Sequence, residues 1–261
     1  MEKITVFLAD WQVLFREGIH FTLSGEEDME VIGEDAGNEQ AIDFIEANPP
    51  QVAILNANHD KVNGFEATCQ IKQILPEVSV ILVMDNYNEG HLFEALKSGA
   101  SACFTKDVDP EVVVNSIREA VKGKQPISEA ICKPEIASRI LDDFTAFSSL
   151  GEQVGKLLAH LTTHEAEILH QIADGNTREQ TAGTLGINDE TLDNRLQSVH
   201  YKLVVNDQKL MLIEAAQSSL PAISRVSFTG KPGTEYITKE EFTAFKESLK
   251  ERFKFLSGDI S

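Results

Sequence analysis

Three polar residues follow short apolar runs, where a parallel sheet would bring its chemistry together. Asn56 follows the run Val52–Leu55 and opens a polar loop that closes on Gly64, a pattern typical of a buried strand leading into a site. Asp10 follows an apolar run near the start of the chain, and Lys106 follows a later one. Because open α/β folds place their sites at the carboxyl ends of strands, we expect the Asn56 side chain to lie at such a site.

The chain shows no pattern typical of an enzyme. His164 and Glu165 resemble the start of the metalloprotease motif HExxH. That motif needs a second His at position 168, where this chain has Ile, so the motif is absent. Asp142 and Asp143 are sequence neighbours whose side chains diverge on a helix, which indicates a solvated face and not a catalytic pair. The sequence contains no nucleophile with its base, no phosphate loop and no metal-ligand spacing. We therefore expect no enzyme activity, no cofactor and no metal.

The elements that must position these residues alternate between strand and helix. Apolar runs predict five strands: Lys3–Ala9, Met29–Gly33, Val52–Leu55, Val78–Val83 and Ser101–Phe104. Helical spacing predicts five helices: Leu14–Leu23, Asn38–Ala47, Phe65–Leu75, His91–Ser98 and Pro110–Val121. A helix after every strand predicts an α/β doubly wound fold, with a five-stranded parallel sheet covered on both faces.

Charge is distributed unevenly along the chain. The 261 residues have a formal net charge of −19. Carboxylates and Lys plus Arg number 22 and 9 in residues 1–125, 5 and 3 in 126–160, 9 and 4 in 161–216, and 6 and 7 in 217–261. Only the last segment is not acidic. This balance is unfavourable for binding DNA, whose affinity comes chiefly from cations that neutralise phosphates.

Length and cysteine usage predict two domains in a reducing compartment. Cys69, Cys103 and Cys132 are unclustered and odd in number, so we expect no disulfide framework. The apolar run at the N-terminus is too short for a signal segment or a membrane span. We therefore expect a cytoplasmic protein with no membrane partner.

Residues 1–125 resemble the receiver domain of bacterial response regulators. The motifs that carry the resemblance are LADWQVLFREG, the Asn56 loop, EALKSGASACFTKDVDP and the helix that follows. The resemblance implies a flavodoxin-like sheet with strand order 2-1-3-4-5, and a phosphorylatable aspartate where Asn56 stands. A carboxamide has no anionic oxygen to attack a phosphoryl group, so this receiver-like domain is expected to lack a phosphoacceptor.

Other expected groups of this pocket are also replaced. The resemblance implies a second acid at Trp11, a Thr or Ser at Met84 and an aromatic switch residue at Cys103. Only Asp10 and Lys106 remain of the expected phosphorylation machinery, and they either bond each other or Asn56, or keep a residual signalling role. Each replacement removes a group needed to hold Mg²⁺ or phosphate, so we expect neither Mg²⁺ binding nor aspartyl phosphorylation.

The altered pocket has two interpretations. Its residues Trp11, Asn56, Asn58, His59 and Met84 could surround a small ligand at the carboxyl end of the sheet. Alternatively, the tryptophan and the methionine fill the empty site as packing, and we favour this interpretation because large apolar side chains are usually buried for their own sake.

Residues 161–216 resemble the LuxR-type helix-turn-helix domain, a small all-α unit. The resemblance implies a first helix that stops at Gly175, a second at Arg178–Leu185, a recognition helix at Asp189–Leu203 and a fourth helix at Asp207–Ala216. A LuxR-type recognition helix lies in the DNA major groove. Apolar residues along the whole segment keep the helical spacing of a packed core, so the fold that the resemblance implies is expected to be retained.

The DNA-facing side of this domain is less well retained. Thr191, Arg195 and Lys202 are the candidate DNA contacts, but Asp193 and Glu179 stand where the family typically has Lys. Each reversal replaces an attraction to phosphate by a repulsion. We therefore expect weak or absent DNA binding by this domain alone, although dimerisation could multiply modest contacts.

The remaining segments are a linker and an extension. Residues 126–160 form a helical linker with its break at Gly151. In the extension, residues 217–261, Thr238 and Glu241 form a capping box for a helix that runs to about Leu256. Its aromatic stripe predicts core packing or a dimer contact, while a basic stripe of Lys246, Lys250 and Lys254 could instead compensate for the acidic helix-turn-helix domain.

Two functions of different classes remain. One is a phosphorylation-independent transcription regulator, a homodimer whose output depends on dimerisation, abundance or a ligand. The other is an interaction module that titrates a partner regulator, a kinase or RNA polymerase and makes little or no contact with DNA. The family resemblance favours the first, and the local charge favours the second.

Overall fold

The computed structural model describes residues 3–58, 62–149 and 157–218. The chain divides into two compact units, Met1–Lys209 and Leu210–Ser261. The helix predicted to end near Leu256 lies outside the described residues, as does the linker break predicted at Gly151. Among the helices of the described ranges, none is long and apolar enough to cross a membrane.

The N-terminal part of the first unit is a parallel sheet flanked by helices. Its strands are β1 Ile4–Ala9, β2 Met29–Asp35, β3 Val52–Asn56, β4 Ser79–Met84 and β5 Ala102–Thr105. Its helices are α1 Val13–Ser24, α2 Asn38–Ala47, α3 Gly64–Ile74, α4 Glu89–Ser98 and α5 Pro110–Val121. The strand order is β2-β1-β3-β4-β5 with every pair parallel, so the predicted doubly wound fold is confirmed.

Burial explains why these runs form the sheet. Every residue of β3 and β4 is buried, because helices cover both faces of a parallel sheet. On β1, next to the edge strand β2, Phe7 stacks on Phe44 of α2 with ring centroids 4.9 Å apart. Gly33 of β2 lies beneath this pair, and a Cβ there would come within 2.6 Å of Phe44 Cζ. Only glycine leaves room for the two rings.

The linker begins with a 3-10 helix at Pro126–Cys132, followed by α6 at Pro134–Ser149. Ile136 and Ile140 of α6 are fully buried, and Arg139 lies over the ring of Phe93 in α4, 4.0 Å from its centroid. The expectation of a solvated Asp142–Asp143 face is wrong for Asp143, whose carboxylate is 3.5 Å from Lys97 Nζ. Packing of α6 on α4 brings these charges together.

The helix-turn-helix segment contains α7 Thr163–Ala173, α8 Arg178–Leu185 and α9 Asp189–Ser218. Capping boxes at Thr162 and Thr177 start the first two helices, and Gly186 ends the second with φ of 65°. Buried apolar residues hold the three helices together: Ile168, Leu169, Ile172, Leu192, Leu196, Val199 and Leu203.

The prediction of a separate fourth helix is wrong, because α9 is continuous through residues 203–207. That segment contains neither Gly nor Pro, so no residue in it favours a break. Asn206 is buried and does not cap a new helix. Its side chain accepts a hydrogen bond from Ala159 N at 2.7 Å and donates one to Ala159 O at 2.9 Å.

Candidate functional site: an amide-closed receiver pocket

The carboxyl ends of three strands bring Asp10, Asn56 and Lys106 together. Asp10 follows β1 and is 5% exposed, Asn56 ends β3, and Lys106 follows β5. Asn56 Nδ2 donates a hydrogen bond to Asp10 Oδ2 at 2.7 Å, and Lys106 Nζ lies 3.0 Å from both oxygens of the same carboxylate. The convergence predicted from the sequence is therefore present.

Asp85 is a member of this cluster that the sequence analysis did not select. Its Oδ1 lies 2.7 Å from Lys106 Nζ and 3.5 Å from Asn56 Nδ2. Its position directly after β4 was the signal that could have found it, since Asp10 and Asn56 occupy equivalent places on neighbouring strands. Two carboxylates thus share a single ammonium, and the amide of Asn56 donates to the more buried carboxylate.

Backbone groups complete the network around the cluster. Asn56 Oδ1 accepts from the Asn58 backbone N–H at 2.7 Å, and Asn58 Oδ1 accepts from Asp85 N at 3.0 Å. Asp10 Oδ1 accepts from Gln12 N at 2.7 Å. The amide and the buried carboxylate are thus satisfied by the protein itself, which leaves them little capacity to bind an added ion.

Trp11 and Met84 occupy different environments. Met84 is 2% exposed, as expected for packing, whereas Trp11 is 50% exposed, so the expectation that both fill the site is wrong for the tryptophan. The Trp11 ring lies over Lys106 Nζ at 5.4 Å, with the Phe15 ring on another side at 5.3 Å. The two rings screen the ammonium from water by cation–π contact and leave much of the indole in solvent.

Asn56 and Met84 are buried, whereas Trp11 is half exposed, so these three members of the hypothetical ligand site differ in environment. His59, which the ligand hypothesis also named, lies outside the described residues. A narrow cavity near the site lies under α1 instead, with Leu8, Phe15, Arg16, Ile19 and Ile54 in its lining. Across the described ranges, no group of three or more His, Cys, Asp or Glu residues could hold a metal ion.

Cys103 stands on β5 in a partly buried position. Burial raises the pKa of its thiol to about 12. The thiol therefore stays protonated at neutral pH and packs as a small apolar group.

The candidate DNA contacts of α9 are not equivalent. Arg195 is exposed and Thr191 is half-buried, whereas Lys202 Nζ lies 2.5 Å from Glu165 Oε2 inside the domain. Burial opposes ionisation of Glu165, but hydrogen bonds from Lys202, Thr162 and Ser198 lower the pKa of its carboxyl to about 2. Lys202 is therefore a structural partner of a buried carboxylate, and the expectation that it faces DNA is not supported.

The acidic residues of α9 are also partly neutralised within the domain. Arg178 of α8 donates from Nε to Asp189 Oδ1 at 2.7 Å and from an Nη group to Asp193 Oδ1. The hydrogen bonds that Arg178 donates to Asp189 and Asp193 raise the pKa of its guanidinium above the usual range, so its charge is permanent. The repulsion predicted for Asp193 is thus reduced by a cation that the sequence analysis had not assigned.

One edge of α9 contacts the receiver part of the same unit. His200 is 3% exposed and its Nε2 lies 3.0 Å from Leu96 O of α4. Burial lowers the pKa of this histidine to about 4, so it is neutral and Nε2 donates the hydrogen bond. Lys97 Nζ, next to Leu96, lies 3.0 Å from Asp207 Oδ1. Neutral and charged contacts together join α9 to α4.

Comparisons with known proteins agree with this architecture. Residues 6–118 match the response regulator receiver domain family. The transcriptional regulatory protein DegU of Brevibacillus brevis is 27% identical over 227 residues, which cover 83% of this chain and 94% of that protein. The response regulator protein VraR of Staphylococcus epidermidis is 28% identical over 217 residues, covering 83% of this chain and 98% of that protein.

One solved structure is similar to part of this chain. The signal receiver domain of the response regulator NarL from Mycobacterium tuberculosis is 27% identical, covers 48% of this chain and 100% of its own, and superposes with a TM-score of 0.46. Residues 6–118 thus match the response regulator receiver domain, and over 83% of its length the chain is similar to a transcriptional regulatory protein and a response regulator protein.

Proposed function

We propose that this protein is a transcription regulator whose receiver domain works without aspartyl phosphorylation. The observation that carries the proposal is the 2.7 Å hydrogen bond from Asn56 Nδ2 to Asp10 Oδ2. An amide stands where the family resemblance implies a phosphoacceptor, and it is directed at the neighbouring carboxylate. DegU is a transcriptional regulatory protein and VraR is a response regulator protein, which supports the output half of the proposal.

The charges of the pocket support the same proposal. Phosphoryl transfer needs an anionic nucleophile together with cations that neutralise the developing charge. Here Lys106 is already shared between Asp10 and Asp85, so it is not free to receive phosphate oxygens. A Mg²⁺ ion would have to displace this ammonium and the amide to reach the Asp10 carboxylate. Output would then depend on abundance, dimerisation or a ligand.

The test is a phosphorylation assay on the full chain with acetyl phosphate and Mg²⁺, read by intact mass. We expect no phosphoryl adduct on the natural sequence and none on Asn56→Asp alone, because Trp11 and Met84 still replace two further groups. The triple variant W11D/N56D/M84T should gain the adduct. A matched variant, W11D/M84T, keeps Asn56 and should not. An adduct on the natural sequence that maps to the Asn56 loop would overturn the proposal.

A second function is favoured by a separate observation, the engagement of Lys202 by Glu165. With that cation occupied, and with 9 carboxylates against 4 Lys and Arg in residues 161–216, the domain has few charges left for phosphates. This favours an interaction module that binds a partner regulator, a kinase or RNA polymerase. A low-salt gel shift with the protein's own promoter, combined with native mass measurement, separates the two functions: DNA-bound dimers support the regulator, and DNA-free hetero-complexes support the module.

A further inference from the structure

The linker helix α6 is packed as a core element. Its residues Ile136, Ala137 and Ile140 are fully buried. The helix packs on α7 of the helix-turn-helix segment, and its Arg139 lies 4.0 Å from the centroid of the Phe93 ring in α4 of the receiver part. Linkers between independent domains are exposed and make few contacts, whereas α6 is in contact with both parts that it connects.

Lys97 of α4 connects three helices through one ammonium group. Its Nζ lies 3.5 Å from the carboxylate of Asp143 in α6 and 3.0 Å from that of Asp207 in α9. Burial opposes the charge of Lys97, but Asp207 and Asp143 outweigh this effect and raise the pKa of the ammonium. A single cation of the receiver part is therefore paired with the linker helix and with the helix-turn-helix segment at the same time.

Uncharged contacts extend this junction along α9. The buried His200 donates from Nε2 to Leu96 O at 3.0 Å. Val204 packs against Gly99, which ends α4 with φ of 87°, and a Cβ built at Gly99 would lie 3.1 Å from Val204 Cγ1. Because His200, Val204 and Asp207 are spaced by four and three positions, they lie on one face of α9. We call the contacts of α4 with α6 and with this face of α9 the seam.

The seam uses the middle of α9 and leaves the first turns of that helix exposed. Asp189, Glu190 and Arg195 are exposed. Near this end, a hydrogen bond of Arg178 with Cys132 adds a contact to the 3-10 helix of the linker. In helix-turn-helix proteins the N-terminal residues of the recognition helix meet the bases. Docking on α4 therefore leaves that end of α9 at the surface while the two parts are joined.

We propose that the seam is permanent: the receiver part and the helix-turn-helix segment open as one cooperative unit, and output follows the amount of protein and not the release of one part from the other. This inference rests on the proposed function and names its regulation. Two domains on an exposed linker are expected to move relative to each other. Here the connecting helix is itself buried, and the pocket that would drive a release is closed by the amide of Asn56.

Native-state hydrogen exchange of the full chain in increasing urea, read by mass spectrometry, tests the seam. The slowest amides of β3 and of α7 should open with the same free energy and the same urea dependence, because both belong to one unit. In K97M/H200A, exchange in α7 should become roughly tenfold faster relative to β3, because the helix-turn-helix segment can then open by itself. If circular dichroism shows this variant to be unfolded, D207N, which removes a single charge, takes its place.

The matched control is K124A, which removes a lysine whose pair with Glu119 lies outside the seam and should leave β3 and α7 equal. If α7 opens at a lower free energy than β3 in the natural sequence, the inference is overturned.

A gel shift with the protein's own promoter distinguishes a permanent seam from an inhibitory one. The seam variant should bind the promoter no more tightly than the natural sequence does. Tighter binding by the seam variant would make the seam an inhibitory contact, which overturns the inference and leaves the regulator function standing. If neither protein binds the promoter, the regulator function fails, and the regulation inferred from the seam fails with it.

Discussion

Asn56 donates a hydrogen bond to the carboxylate of Asp10 across the ends of β3 and β1, with 2.7 Å between Nδ2 and Oδ2. The amide supplies a donor at a place where a carboxylate would supply a second negative charge. Asp85 already adds one carboxylate to the cluster, and Lys106 is the ammonium between Asp85 and Asp10. The stability of this pocket therefore depends on an uncharged residue at position 56.

Replacing Asn56 by Asp should destabilise the receiver domain at neutral pH. A third carboxylate in contact with Asp10 would repel it, because like charges disfavour joint ionisation, and the folded state would take up a proton to relieve that repulsion. We expect a loss of about 1–3 kcal/mol in the free energy of unfolding at pH 7. Since the folded state then binds more protons, the loss should shrink as pH falls toward 4.

Urea unfolding of N56D and the natural sequence at pH 7 and pH 4.5 measures this effect. N56A is the matched control, because it removes the hydrogen bond without adding charge, and its loss should not shrink on acidification. Equal stability of N56D and the natural sequence at pH 7 would contradict the expected repulsion.

The buried pair of Glu165 and Lys202 should stabilise the helix-turn-helix domain above acidic pH. The pKa of Glu165 is lowered from 4.5 to about 2, so its contribution is full above 4.5 and is lost as pH falls through 2. Changing Glu165 to Gln should cost about 2–3 kcal/mol at pH 7. Melting of both proteins at pH 7 and pH 3 tests this, and the difference between them should be smaller at pH 3. A difference that is independent of pH would assign the effect to packing.

His200 should make the contact between α9 and α4 sensitive to acid. Its pKa falls from 6.5 to about 4 in the folded state, so the folded state binds fewer protons than the unfolded state. Stability should therefore decrease as pH falls below 6.5 and continue to decrease until about pH 4. The variant H200Q keeps a donor for Leu96 O but does not titrate, and should flatten this part of the profile. Melting temperatures at half-unit pH steps provide the measurement.

Lys97 should contribute more to stability than an ordinary surface lysine. It is 3.0 Å from Asp207 and 3.5 Å from Asp143, and all three side chains are less than a third exposed. Changing Lys97 to Ala should cost about 1–2 kcal/mol, because two partly buried carboxylates lose their partner. Lys124 is the matched control, since its pair with Glu119 is largely exposed, and K124A should change stability little. Urea midpoints compare the two, and equal effects would contradict the prediction.

Gly33 and Gly183 should respond oppositely to alanine. A Cβ at Gly33 would lie 2.6 Å from Phe44 Cζ, so G33A should cost about 1–3 kcal/mol through overpacking. A Cβ at Gly183 in α8 meets nothing within 4 Å, so G183A should stabilise by about 0.5–1 kcal/mol through helix propensity. Thermal unfolding of G33A and G183A measures both effects. In the F44A background, which lacks the ring that clashes with the new Cβ, the change G33A should cost less stability than it does alone.

Much of the fold was determined by the sequence alone. Apolar runs such as Val52–Leu55 are too short for helices and too apolar for exposed strands, so they predict buried strands. Because these strands alternate with helical patterns, the sequence predicts a doubly wound parallel sheet. Strands placed this way carry Asp10, Asn56 and Lys106 to one edge regardless of the details of packing. The lack of an anionic oxygen at position 56 likewise follows from the sequence alone, because the residue there is Asn.

Tertiary structure decided how the charges are shared. Asp85 joins Lys106, Arg178 binds Asp189 and Asp193, and Glu165 holds Lys202, although the partners in each pair are separated by 11 to 37 residues. Charge counts along a chain cannot reveal such pairs, because pairing depends on distances of a few ångströms that only packing sets. The burial of Asn206 against Ala159, within the continuous α9, was likewise visible only in the tertiary structure. The sequence determined which groups are present in this receiver and its helix-turn-helix domain, and the fold determined which of them remain free to act.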